Sequence, residues 1–212
     1  MGIAFRVLWQ AIRDFYDEMF VMVGANLLWV VMAIPVVTIP LGNAGMMYLT
    51  NQIAHHKSIE FRMFFQGIKE YWAKSYLLAL LNVLAAVLFY ANMRFYGQMN
   101  ASWASVIQGL FVGLFVIWCL IQIYVFPMLM EQQEPRLLLA LRNAAFLAFA
   151  SPIPTIVLAV LLIVVAALCI GLAFLFAVAM MAVICLAANG AVLKLLIHHG
   201  IRKPPEEVPA DS

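Results

Sequence analysis

Six carboxamides, Asn26, Asn82, Asn92, Gln108, Gln122 and Asn189, are the polar side chains that could do chemistry within the long apolar runs of this chain. A carboxamide donates and accepts hydrogen bonds but carries no charge, so two readings stand. The six could line a polar pathway or a neutral-solute site at mid-membrane. They could equally join neighbouring helices, by hydrogen bonds worth about 0.6 kcal/mol each. The acids lie elsewhere. Every Asp (Asp14, Asp17, Asp211) and every Glu (Glu18, Glu60, Glu70, Glu131, Glu134, Glu206, Glu207) falls in a connector or an end. Intramembrane carboxylates are costly and mark proton and cation pathways. Their absence from the runs argues against a proton-coupled pump or an intramembrane aspartyl protease. No HExxH, GxSxG, P-loop or Gly-rich nucleotide motif occurs. The expectation is a protein that is not an enzyme, with no catalytic residues, cofactor or metal.

The remaining reactive residue types point the same way. His55-His56 and His198-His199 fall on one side of the membrane, but adjacent helical residues diverge by about 100° and rarely supply two ligands to one metal. Headgroup or solvent contact is the reading for both pairs. Cys119, Cys169 and Cys185 lie in apolar runs without metal-ligand spacing and read as small hydrophobes. Arg94 can snorkel to an interface beside Tyr96. Asn100-Ala101-Ser102 matches a glycosylation sequon, a triplet common by chance. Pro35, Pro40, Pro152 and Pro154 interrupt apolar segments as hinges or helix starts. Broken helices at matching positions would instead mark a transporter's binding site. Gly109 and Gly113 form a GxxxG, the spacing that lets two helices approach closely, within one copy or between two.

These residues are carried by long apolar helices. Hydrophobic residues make up 67% of the 212 and charged residues 10%, where a soluble domain carries about 25% charged. The mean hydropathy is +1.02. From Ile153 to Ile197 there is no Asp, Glu, Arg or His, and the only Lys is Lys194. About 20 apolar residues cross a bilayer as a helix, so this stretch holds two crossings. The fold class is all-α integral membrane protein, with about five spans and amphipathic interfacial helices. The spans are placed at 19–41, 75–96, 103–130, 153–171 and 173–197, in one polytopic domain over 1–199. Residues 3–18 form an amphipathic helix that reads as retained rather than a signal peptide. Gly171 separates the last two spans. Residues 131–151 form an interfacial connector too short to cross, and the charged, Pro-rich tail 200–212 reads as disordered.

A second amphipathic helix fills the connector from Ser58 to Lys74, with Ser58 as N-cap and Glu60 in the first turn. Phe61, Phe64, Phe65, Ile68 and Trp72 take one face, and Arg62, Gln66, Lys69 and Lys74 the other. Arg62, Phe64, Phe65, Lys69 and Trp72 are the candidate surface for headgroups or a partner. The net charge of +2 gives no reason to expect nucleic acid. Five spans put Lys57, Arg62, Lys69, Lys74, Arg136, Arg142, Lys194, Arg202 and Lys203 on one side and Arg6, Arg13 and Arg94 on the other. The positive-inside rule then makes the first side, with the C-terminus, cytoplasmic. A competing threading turns residues 19–41 back at Pro35 and Pro40 as a re-entrant hairpin. Both ends are then cytoplasmic, and Arg94 alone remains outside.

Several stretches carry a family resemblance: Asn26-Leu27-Leu28-Trp29, then Ile34-Pro35-Val36-Val37-Thr38-Ile39, then Gly42-Asn43-Ala44-Gly45 before Met46-Met47-Tyr48. With Phe64-Phe65-Gln66-Gly67-Ile68-Lys69-Glu70-Tyr71-Trp72, they resemble the YesL-like bacterial membrane proteins over about residues 15–90. Here Pro40-Leu41-Gly42 stands where Gly-Pro commonly follows the Thr-Ile. The resemblance brings no established activity and no catalytic residues. It implies a bacterial cytoplasmic membrane protein working beside carbohydrate uptake. The leading expectation is a non-enzymatic accessory or assembly partner of a membrane complex, its partners being the bilayer and transporter subunits, with self-association through Gly109 and Gly113. The alternative is a self-sufficient transporter or channel for a small neutral solute.

Overall fold

Proline decides the first large feature of the chain. In the computed structural model, which describes residues 2–99 and 102–202, the apolar stretch 19–41 is not one helix. Helix α2 (Met19–Ala33) stops, the chain turns, and α3 (Ile39–Ala54) runs back along it. Pro35 has no N–H for a helical bond, and Val36 sits at φ 58°, a left-handed conformation costly for a β-branched residue. The Thr38 hydroxyl donates to the Met32 carbonyl, and Pro40 occupies the first turn of α3. Across the hairpin, Trp29 Nε1 donates to Asn43 Oδ1 at 2.7 Å. Gly42 allows that closeness, since a Cβ there would stand 2.8 Å from the Trp29 ring. Fifteen or sixteen helical residues reach only about 24 Å, short of the roughly 30 Å hydrocarbon core.

Ahead of the hairpin, α1 (Gly2–Asp17) meets α2 at 98°. Its small residues Ala4, Val7 and Ala11 are buried, chiefly against α9. After the hairpin comes α4 (Arg62–Gly97), one unbroken helix of 36 residues. The expected amphipathic helix and second span are therefore a single rod of about 54 Å, and its basic first half must project beyond the membrane. The start differs from expectation too. Ser58–Glu60 is not helical, and the N-cap position falls to Phe61 without a side-chain cap.

The rest completes the bundle: α5 (Ser102–Met130), α6 (Leu137–Ala150), α7 (Pro152–Gly171), α8 (Ala173–Val178) and α9 (Met180–His198). The break expected at Gly171 is a double one, at Leu172 and again at Ala179. Among the described residues there are no strands, and four helices (α4, α5, α7, α9) are long and apolar enough to cross a membrane, or five spans if α1 and α2 count as one. Helix α9 is the hub. Its buried face runs from Ala182 to Leu196, whereas α4 buries only a stripe of Phe64, Gly67, Tyr71, Ser75 and Leu78. This is an all-α membrane protein.

The hairpin also brings the two terminal segments of the bundle together. Helix α1 lies against the half of α9 that leads to the C-terminus, where Lys194 Nζ donates to the Arg6 carbonyl at 3.4 Å. Both terminal segments thus meet on the same helix half. Arg6 and Arg13 join Lys57, Lys194 and Arg202, and Arg94 stays at the far end of the α4–α5 hairpin. The prolines end α2 before it is long enough to cross alone, so residues 19–41 are not one crossing helix; the lengths fit four spans, or five with α1 and α2 as one bent span.

Candidate functional site

Where α3, α5 and α9 end together, a buried carboxylate gathers donors from two parts of the chain, the end of α3 and the segment after α9. Glu131 is the first residue past α5, and its side chain is only 7% exposed. Its Oε1 accepts from Asn51 Nδ2 at 3.0 Å and lies 2.7 Å from His55 Nε2. Its Oε2 is paired with the Arg202 guanidinium. Asn51 also reaches Asn189 Oδ1 at 3.4 Å, and Asn189 Nδ2 donates to Thr50 Oγ1 at 2.8 Å and to the Met47 carbonyl at 3.3 Å. Asn51 and His55 lie one helical turn apart on α3 and so share a face. The cluster borders a polar cavity of about 370 Å³, with Tyr48, Gln52, Lys57, Tyr71 and Met130 completing the wall.

The end of α3 aims these groups. His56 is left-handed at φ 55°, its N–H bonds to the Ile53 carbonyl, and the Lys57 N–H bonds to the Gln52 carbonyl. This is a Schellman-type termination. It sends the paired histidines apart: His55 meets Glu131, while His56 lines a second cavity with Asp14 and Lys194. Burial there pushes the Asp14 carboxyl above its usual range, and His56 and Lys194 partly offset the shift. In the other pair, His199 Nε2 lies 2.9 Å from Ser151 Oγ. Among the described residues no three His, Cys, Asp or Glu side chains come together as a metal site.

Burial holds His55 below the usual imidazole range, and the nearby Arg202 and Lys57 cations push the same way. Arg202 already balances Glu131, so His55 serves best as a neutral N–H donor. Its folded pKa is below its unfolded one, so the unfolded chain binds more protons as pH drops. Stability should therefore be complete above about pH 6.5 and fall as pH drops from there through the folded pKa. His55→Gln should flatten that part of a pH-resolved thermal unfolding curve in detergent. An unchanged slope would show that another group titrates.

The six carboxamides do not converge. Asn189 belongs to the Glu131 cluster. Asn26 clamps the break between α8 and α9, its Nδ2 donating to the Ala177 carbonyl at 2.7 Å and its Oδ1 accepting the Ala182 N–H at 3.0 Å. Asn82 bridges α4 and α5, donating to Gln122 Oε1 at 3.3 Å and accepting from Trp118 Nε1 at 3.1 Å. Gln108 bonds the Met93 carbonyl, and Asn92 bonds Leu88 in its own helix. Sequence reading left Glu131, His55 and Asn51 out of the candidate site. The available signal was the Asn51/His55 spacing and an acid set directly after an apolar run.

The α4 surface also needs one correction. Phe64 is fully buried against Gly45, not on the outer face. Phe61, Phe65 and Trp72 stay exposed beside Arg62 and Lys69. Pro35 and Pro40 bracket the hairpin turn, whereas Pro152 and Pro154 open α7. Asn100 and Ala101 of the sequon and the tail from 203 onward lie outside the described residues.

The family match falls on the hairpin and most of α4. Residues 22–93 match the family described as "Protein of unknown function, DUF624". The chain is 31% identical over 99 residues to the uncharacterized protein YesL of Bacillus subtilis (strain 168). Over that length the chain is similar to YesL. The match covers 47% of this chain and 46% of YesL, so it spans about half of that relative's length. No solved structure matches the chain. Asn51 and His55 lie inside the DUF624 segment, whereas Glu131, Asn189 and Arg202 lie beyond it.

Proposed function

We propose that this chain is a non-enzymatic accessory or assembly partner of a membrane complex in the bacterial cytoplasmic membrane. A carbohydrate transport system is the complex that the YesL resemblance suggests. One observation carries the reading. Helix α4 buries its own stripe against α3 and leaves Phe61, Phe65 and Trp72 uncovered beside Arg62 and Lys69, on a rod too long for the bilayer. The fold leaves most of that ridge exposed, so a partner can cover it. In this reading both termini are cytoplasmic, which the positive-inside rule favours because Arg6 and Arg13 then share a side with most of the Lys and Arg residues. At Gly109 and Gly113 a Cβ would have nothing within 4 Å, which leaves that face of α5 for a second copy. Reversing Arg62 and Lys69 to Glu should abolish recovery of stoichiometric partners from native membranes in mild detergent, with the protein still inserted. Unchanged recovery would sink the assignment.

A second reading, a self-sufficient transporter or channel for a small neutral solute, is favoured by one detail. Gln122 Nε2, beside Asn82, is buried without a hydrogen-bond partner, and such groups are rare. It predicts flux in liposomes containing only this protein, reduced severalfold in Gln122→Leu. Flux that is the same in the variant would take Gln122 out of any pathway.

A further inference from the structure

We infer that the groove between α5 and α6 is a binding site for an anionic phospholipid, whose phosphate is held by Arg136 and Arg142. The groove is an open one of about 580 Å³, and its walls include Trp118 and Ile121 of α5 and Leu138 and Ala145 of α6. That volume is in the range of ligand sites, and its lining joins apolar walls to two guanidinium groups.

Position decides the kind of ligand. Helix α6 has 14 residues, about 21 Å, too short to cross. Its start is tied to the polar run Glu131–Arg136, which belongs at the water boundary. One face, with Ala140, Ala144 and Leu147, is buried. The other presents Leu138 and Phe146 at 82% and 70% exposure, which only hydrocarbon can cover in a membrane. A ligand here must therefore be apolar along α6 and anionic at its start. Basic pockets beside transmembrane helices bind anionic headgroups in this way.

The two arginines are available. Among the described residues Arg142 has no ion-pair partner. Arg136 pairs only with Glu134, and both side chains are more than 70% exposed, so that pair is weak. Guanidinium groups meet phosphate through paired N–H donors. The α6 N-terminus has no side-chain cap, which adds a favourable dipole end for the same charge. The apolar wall is fixed rather than adaptable, because the Trp118 indole N–H is bonded to Asn82 on α4. This site does not depend on the α4 ridge or on any partner protein.

The test is native mass spectrometry of the full chain released from nanodiscs containing equal dioleoylphosphatidylglycerol and dioleoylphosphatidylcholine. Wild type should retain one phosphatidylglycerol with about tenfold preference over phosphatidylcholine. Arg136→Gln with Arg142→Gln should lose the preference, whereas Arg94→Gln, at the far end of the bundle, should keep it. Ala145→Phe, which fills the groove and leaves both arginines, should also lose retention. Glycerol phosphate at millimolar concentration should not displace the lipid. No headgroup preference in wild type, or full preference in the double variant, would overturn the site. Retention unaffected by Ala145→Phe, or displacement by glycerol phosphate, would reduce it to a surface anion contact and overturn the groove.

Discussion

Glu131→Ala should destabilise the protein by about 3 kcal/mol, seen as a fall of about 6–12 °C in thermal unfolding. The carboxylate accepts from Asn51 and His55 and balances Arg202, so its loss strands donors on α3 and a cation on the C-terminal segment. Breaking a buried pair from one side leaves the other group uncompensated, and the cost is the desolvation already incurred. Arg202 is 41% exposed and water can reach it, which holds the figure at the lower end. Glu131→Gln keeps an acceptor for Asn51 and His55 and should cost less. Arg202→Ala tests the pH dependence as well. Without the Arg202 cation, burial and Lys57 still oppose protonation of His55, so its folded pKa should rise toward the unfolded value without passing it. The loss of stability below about pH 6.5 should then be shallower than in wild type. A Glu131→Ala protein that unfolds within a degree of wild type would mean the cluster is solvated and carries no stability.

This cluster shows where reading the sequence stops. Apolar run length exposed the helices, because the bilayer sets a length that composition reports directly. The Pro35–Pro40 segment announced a break, but not whether the chain would kink or reverse. That choice rests on contacts such as Trp29 with Asn43, which join residues 14 apart. Charge counting in loops could not decide either, since α1 is amphipathic and its arginines fit both sides. The sequence of α4 reads as two elements because its surface changes from amphipathic to apolar near Lys74, although its backbone does not break. Helical spacing alone points Phe64 outward, and the glycine at position 45 of α3 explains why it turns inward. Glu131 lies 80 residues from Asn51 and 76 from His55 in sequence. No local pattern links them, and an acid between two apolar helices reads as a loop charge until the helices are packed.

Gly67→Leu should be as damaging as loss of Glu131, at about 3 kcal/mol, for a reason that is purely steric. A Cβ at Gly67 would collide with Tyr48 Cβ and stand 3.0 Å from the Ala44 carbonyl oxygen. Neither atom is the free end of a side chain, so relief requires α3 and α4 to separate. Gly45 makes the reciprocal contact, since its Cβ would lie 2.9 Å from both the Phe64 ring and the Phe64 carbonyl. These two glycines let the helices touch backbone to backbone, as small residues do in membrane bundles. Even Gly67→Ala should lose stability, although alanine is the better helix former by about 1 kcal/mol, because the clash exceeds the gain. Gly109→Ala and Gly113→Ala supply the contrast on α5, where the added methyl meets nothing within the chain; neither should lower the unfolding temperature. Gly109→Leu with Gly113→Leu should leave the monomer equally stable while removing a cross-linked dimer, if α5 is where a second copy sits. A Gly67→Ala protein as stable as Gly109→Ala would mean that α3 and α4 are not in close contact. The packing that fixes both the hairpin and the exposed ridge of α4 would then have to be redrawn.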